Sequence, residues 1–258
     1  MPFFYALTGI TIARLLFQWS DKPVDIKKGA LMLAFEIVLL SPVFSHYWLI
    51  LLLFLISLQI IIILTESYSK PKYKARTIQL LYFVFFSACF WSHADPASGF
   101  NNTALSLFQF CKNNLLFMSV VSNRQLEHYF IYLAGALLLI NEVNNLIRFI
   151  LESFRIIQPA GNEPISPLNI VVPKTGVTRE ELNRGRLIGI FERVLIFVFT
   201  ITGNLTLIGF ILTAKIFTRY KRLDDQAFAE YVLIGTLLSS SFSLIAGLVV
   251  KIIVKAIV

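Results

Sequence analysis

The chain has 258 residues, of which 57% are hydrophobic and only 15% charged, and it carries a formal net charge of +8. Its mean hydropathy is +0.73. Soluble domains average about 45–50% apolar and about 25% charged residues, so the composition argues against a soluble enzyme or a nucleic-acid-binding module.

The apolar excess lies in blocks of roughly 15–20 residues separated by short polar stretches, the pattern of helices that cross a bilayer. The blocks are solid rather than alternating, which argues against a transmembrane barrel. The predicted fold is an all-α polytopic transmembrane bundle of about seven to eight membrane segments, with short hairpins and one amphipathic helix. It reads as one integral membrane domain, 1–258. Residues 1–125 form helical hairpins, 126–184 a long helix with a Pro-rich loop, and 185–258 the C-terminal helices.

The first apolar stretch is Phe3–Trp19. It lacks a basic n-region and Arg14 interrupts it, so it reads as a retained helix rather than a signal peptide. A lysine-bearing loop, 21–29, follows. Residues 30–64 as one helix would be about 50 Å long, too much for a core about 30 Å thick. The Ser41-Pro42 and Ser45-His46 pairs therefore mark a hairpin break. A basic segment (Lys70, Lys72, Lys74, Arg76) precedes a fourth span, 77–91, and a polar loop, 93–103.

Residues 104–122 carry Ser106, Gln109, Lys112, Asn113 and Ser119 at helical spacing, which gives the amphipathic helix one polar stripe. The long helix predicted over 126–157 is apolar at first, then bears Asn141, Asn145, Arg148, Glu152 and Arg155 on one face. Loop 158–183 holds four prolines, and Thr178 with Glu181 forms a capping-box pattern at its end. Thr202-Gly203-Asn204 is the expected turn between spans 186–202 and 205–218. Asp224 and Asp225 are placed to cap the last helix from Gln226 onward.

Sixteen of the 23 Lys and Arg fall in loops 20–29, 66–76, 148–186 and 219–225, and none in 45–47, 93–103 or 203–204. If 104–122 does not cross the bilayer, the four basic loops share one side, the cytoplasm by the positive-inside bias. That side would meet anionic lipid. Lys251 and Lys255 then conflict, unless the last helix bends back or the two lysines snorkel. Cys89 and Cys111 read as small buried residues rather than a disulfide pair. No Cys/His cluster has zinc spacing, and no cofactor is implied.

Three constellations stand out. Arg186, Glu192, Arg193, Lys215 and Glu230 cluster near the inner ends of the last three spans. Unpaired charges at that depth cost about 2.5–3.5 kcal/mol each, so they are expected to converge, as a structural lock or as an ion or ligand path. Gly235, Ser239, Ser243 and Gly247 recur every four residues, a small-residue ridge that admits another helix, from this chain or from a second subunit. The polar stripes Gln109, Lys112, Asn113 and Asn141, Asn145, Arg148 are candidate pore or cavity lining. Arg14 and Glu36 are available to pair, and Glu66 reads as a span end. His46, His93 and Asp95 form a weak metal candidate. No nucleophile elbow, Walker loop, dinucleotide fingerprint or HExxH is present, so no enzymatic activity is expected.

The stretch GRLIGIFERVLIFVFTITGNLTLIGFILTAKIFTRYKRLDDQAFAEYVLIGTLLS, residues 185–239, resembles the C-terminal half of an uncharacterised family of bacterial multi-pass membrane proteins. It covers about a fifth of the chain and rests on Gly185, Arg186, Gly189, Glu192, Arg193, Gly203, Gly209, Lys215, Arg219, Glu230, Tyr231, Gly235, Thr236 and Ser239. The resemblance implies a bacterial inner-membrane protein in which the charged cluster matters, and it implies no activity. That family carries Asp and His in its early spans. Here Arg14 stands where the Asp before Gln18 would be, and an Asp-Gln-x-x-His pattern reads Ile78-Gln79-Leu80-Leu81-Tyr82, so that chemistry is absent.

The leading functional expectation is a homo-oligomeric ion channel or membrane-permeabilising effector. It would be gated from the cytoplasm by a protein partner or by an anionic nucleotide or oligonucleotide. A secondary transporter or its membrane subunit, a lipid-acting enzyme and a membrane scaffold are the alternatives.

Overall fold

The computed structural model describes residues 2–18, 24–43, 48–68, 72–93, 100–114, 123–153, 179–219 and 226–257. Among these the secondary structure is entirely helical. The helices are α1 (Pro2–Gln18), α2 (Ile26–Leu40), α3 (Trp48–Tyr68), α4 (Lys72–His93), α5 (Asn102–Asn114), α6 (Asn123–Ser153), α7 (Arg179–Thr202), α8 (Leu205–Arg219) and α9 (Gln226–Ile257), with a 3-10 turn at Ser41–Val43.

Three stretches are long and apolar enough to cross a membrane: Leu49–Tyr68, Gln125–Leu151 and Leu233–Ala256. Phe3–Gln18 and Leu205–Phe217 are apolar but shorter. The remaining expected spans do not reach that standard as single helices: α2 has only 15 residues, and α4 and α7 carry charged or polar residues among their apolar ones. Lys27 and Lys28 lie in the first turn of α2, Lys72, Lys74 and Arg76 open α4, and Arg179 to Arg186 open α7. Lys and Arg are good helix formers, so the helices continue through the basic segments. Residues 154–178, where the Pro-rich loop and the Thr178 cap were expected, and Asp224, Asp225, His46 and Asp95 lie outside the described residues.

The described helices group into two compact units, 1–141 and 142–258, which divide within α6. In the first unit α1 packs on α2, α2 on α3 and α3 on α4. Its core is built from Ile10, Ala13, Met32, Leu40, Leu51, Phe54, Leu55, Leu58, Ile62 and Phe83. Tyr5 ties α1 to α6 through an edge contact with Phe130 and donates its hydroxyl to the Leu39 carbonyl at 3.0 Å.

The exterior of this unit is apolar, unlike that of a soluble bundle, and polar side chains are buried beside its apolar core. On α3, Leu49, Leu53, Ile56, Ile60 and Leu64 face outward while Gln59 and Glu66 are buried. On α4, Ile78, Leu81, Val84 and Phe85 face outward while Arg76, Thr77 and Gln79 are buried. Both faces follow the three-to-four-residue helical period. An apolar exterior around polar interior groups is what lipid as solvent selects.

In the second unit α7 and α8 form a hairpin through Gly203, whose φ of +82° is the left-handed conformation that glycine adopts without strain. α9 packs along α7. It is one unbroken helix of 32 residues, about 48 Å long, so it does not bend back on itself.

Candidate functional site

The first unit brings polar side chains from four helices into its interior at successive depths. At the level where α1 and α3 end and α2 and α4 begin, Glu66 Oε2 accepts the Val24 backbone N–H at 2.7 Å. Glu66 Oε1 lies 3.8 Å from Arg76 Nε. Next, Gln18 Nε2 donates to Gln79 Oε1 at 2.9 Å, and Gln79 Nε2 donates to Thr65 Oγ1 at 2.8 Å. Thr65 Oγ1 in turn donates to the Ile61 carbonyl at 2.6 Å.

About 10 Å further along α3, seven residues from Glu66 at the helical rise, comes a third level. Gln59 Nε2 donates to Glu36 Oε2 at 3.0 Å. Arg14 and Glu36 are both 0% exposed. The Arg14 guanidinium carbon also stands 5.8 Å from the Phe83 ring centroid, a cation–π arrangement. Arg14 and Glu36, expected as available to pair, are both buried in this interior, and Glu66, read as a span end, is buried too.

Beyond this level the interior turns apolar. Phe54 and Phe86 stack with ring centroids 3.9 Å apart and planes 3° from parallel. A small cavity among Ile10, Leu51, Phe54, Phe83 and Phe86 has almost no polar lining. Ser57 and Tyr82, each about one helical turn from the stacked rings in sequence, share a 2.8 Å hydrogen bond. The polar ladder therefore starts at Glu66 and Arg76, near one end of the unit, and stops at the aromatic stack.

The helical period explains why the ladder assembles. Thr8, Thr11, Arg14 and Gln18 occupy one face of α1, as Ala75, Gln79 and Phe83 do of α4. Gln59, Gln79, Arg76 and Glu66 were not singled out as site residues from the sequence. The available signal was a glutamine or charge on the face opposite an unbroken Leu/Ile row, because a polar group in a span is costly unless it faces protein.

In the second unit Lys215 Nζ on α8 donates to Glu192 Oε2 on α7, and both side chains are largely covered. Arg193, the next residue, is buried and lies along its own helix past Gly189, with Nη1 3.8 Å from where a glycine Cβ would stand. The side chains of Arg186 and Glu230 lie outside the described set. Asn141, Glu142 and Asn145 of α6 are buried, and Arg148 is half-buried. Gln109 and Asn113 on α5 are exposed, as is Phe110 on the same helix, and the Lys112 side chain lies outside the described set.

The small-residue ridge is occupied within the chain at its C-terminal end. Gly247 packs on α7 so closely that an added Cβ would stand 2.7 Å from Thr200 Cβ, and Ser243 is fully buried. Ser239 is half-buried, and Gly235 has nothing within 4 Å of its Cβ position. Lys251 and Lys255 are exposed, with Lys251 Nζ 3.8 Å from the Cβ position of Gly203.

Among the described residues no three His, Cys, Asp or Glu side chains are grouped to hold a metal ion. Comparison of the chain with protein-family models, curated proteins and solved structures finds no match.

Proposed function

We propose that this protein is an ion channel of the bacterial inner membrane, with its basic loops in the cytoplasm and its seven to eight helical segments in or against the bilayer. The observation that carries this is the buried polar ladder of the first unit, closed by the Phe54–Phe86 stack. Buried polar and ionisable groups are expensive in a membrane and are retained where ions or protons pass. Hydrophobic constrictions close such paths by excluding water.

On this reading the path runs inside each chain, and homo-oligomers form around it through outer faces such as the Gly235 end of α9. The basic loops receive the opening signal, from a cytoplasmic protein or an anionic nucleotide, and contact anionic lipid. The exposed Lys251 and Lys255 reach the opposite headgroup region by snorkelling. The test is ion flux in proteoliposomes. Phe54→Ser should raise basal flux severalfold by wetting the plug. A Phe54→Ser protein that is folded yet as impermeable as protein-free vesicles rejects the proposal.

The dead end of the ladder favours a second reading, a secondary transporter caught closed at one side. Solute counterflow without net conductance would select it.

A further inference from the structure

At the deepest polar level the hydrogen bonding is incomplete in a specific way. Gln59 donates one N–H to Glu36 Oε2, while Glu36 Oε1 and Gln59 Oε1, both buried, accept no hydrogen bond. Two acceptor oxygens without donors, at the two ends of one amide–carboxyl pair, are unfavourable when buried. A carboxylic acid and a primary amide have complementary edges. With Gln59 N–H already on Oε2, a proton on Glu36 Oε1 is a donor that Gln59 Oε1 can accept, so one proton supplies both missing partners.

We infer that Glu36 is a proton-binding site in which Gln59 completes a two-hydrogen-bond ring with the protonated acid, and that the species moved along the ladder is the proton. This rests on the reading of the ladder as a membrane path.

The step balances simply. A hydronium ion arriving from the Glu66 end gives its proton to Glu36 Oε1 and leaves as water, and no other covalent bond changes. The Arg14–Glu36 pair is neutral before loading and carries +1 after it. Arg14 stabilises the carboxylate by its charge, and Gln59 stabilises the acid by its carbonyl. A site held between two such opposing partners both takes up and releases a proton.

The other ionisable groups around Glu36 are committed elsewhere. On α1 the Tyr5 hydroxyl bonds the Leu39 carbonyl. On α3 Glu66 is held by Val24 and Arg76, Arg76 being the nearest charge contributed by α4. On α2 itself Asp25, Lys27 and Lys28 lie eight to eleven residues away, at the other end of the helix.

The experiment is infrared difference spectroscopy of the full-length protein in lipid, titrated between about pH 4 and pH 9, the range that brackets ordinary and burial-shifted carboxyls. Expected are a carboxylic-acid carbonyl band that grows with acid, its loss in Glu36→Gln, and a shift to higher frequency in Gln59→Leu, where the ring is gone. Glu36→Gln keeps an amide edge toward Gln59, so folding should survive, and its helical circular dichroism is checked in parallel.

A titrating band that survives in folded Glu36→Gln, or no titrating band at all, overturns the inference. So does a band that sodium or lithium removes at constant pH, since a metal cation would then be the occupant. The outcome is separable from the channel proposal. Titration without flux keeps the site and removes the channel, and flux without titration does the reverse.

Discussion

Gln18 on α1 and Gln79 on α4, 61 residues apart in sequence, are joined inside the first unit by an amide–amide hydrogen bond of 2.9 Å. Both side chains are almost completely buried. Removing one member leaves the other's buried group without its partner, whereas replacing both removes the demand. Gln18→Leu alone should therefore lower stability by about 1–3 kcal/mol, and the Gln18→Leu, Gln79→Leu double variant should recover most of that loss. Denaturation in mixed micelles measures both. A double variant as unstable as the sum of the singles would show that the pair contributes beyond mutual satisfaction.

Gly247 and Gly235 share one ridge but have opposite surroundings. A Cβ on Gly247 would lie 2.7 Å from Thr200 Cβ, 2.8 Å from its Cγ2 and 3.3 Å from the Phe197 carbonyl oxygen, whereas Gly235 has open space. Thr200 is β-branched and stiff at its first torsion, so it cannot swing aside and α9 must move off α7. Gly247→Ala should cost about 1–3 kcal/mol, the usual range for overpacking, while Gly235→Ala leaves stability within about 0.5 kcal/mol. If Gly235→Leu also leaves the oligomeric state unchanged in native mass spectrometry, the free end of the ridge is a lipid contact rather than a subunit contact.

Hydropathy blocks located the helices well because lipid-facing Leu and Ile dominate them. Thr202-Gly203-Asn204 was legible as a turn because only a glycine there meets the required positive φ. The burial of Arg14 and Glu36 was legible because each is a lone charge in an apolar block. Three features were not. Helix ends were set too far inward, because basic residues were read as loop although they propagate a helix as readily as any straight-chain residue. Gln59 and Gln79 were not read as site residues because a single neutral amide does not break an apolar block, and its importance comes from a partner on another helix. The Glu66 contact depends on the Val24 backbone, which no side-chain pattern announces.

Glu66 anchors the first level of the ladder by holding the chain just before α2. Its Oε2 receives the Val24 N–H at 2.7 Å and its Oε1 faces Arg76. Glu66→Ala strips the Val24 amide and the Arg76 guanidinium together, and removing one partner of a buried charge pair typically costs about 3–5 kcal/mol. Glu66→Gln keeps an oxygen for Val24 and loses only the charge, so it should fall between wild type and Glu66→Ala. Amide exchange read at Val24 separates the two effects. Protection there should collapse in Glu66→Ala and largely persist in Glu66→Gln.

The Glu192–Lys215 pair poses a different question, whether its charges act only on each other. The pair ties α7 to α8 about 15 Å from the Gly203 turn, ten helical residues along each arm, where the hairpin has no other covalent or turn constraint. Both side chains retain slight exposure, so the stabilisation should lie between the fully exposed and fully buried limits. Breaking it by Lys215→Ala should cost about 1–3 kcal/mol. The reversed pair, Glu192→Lys with Lys215→Glu, places the same charges at the same separation. It should restore thermal stability if the link is a lock between two helices. Arg193, buried one position away, makes the reversal informative. A second cation brought to position 192 would then stand beside it, so a reversed pair that regains stability yet loses proteoliposome flux would assign these charges to conduction as well as to folding. Recovery of both would leave them a structural role alone.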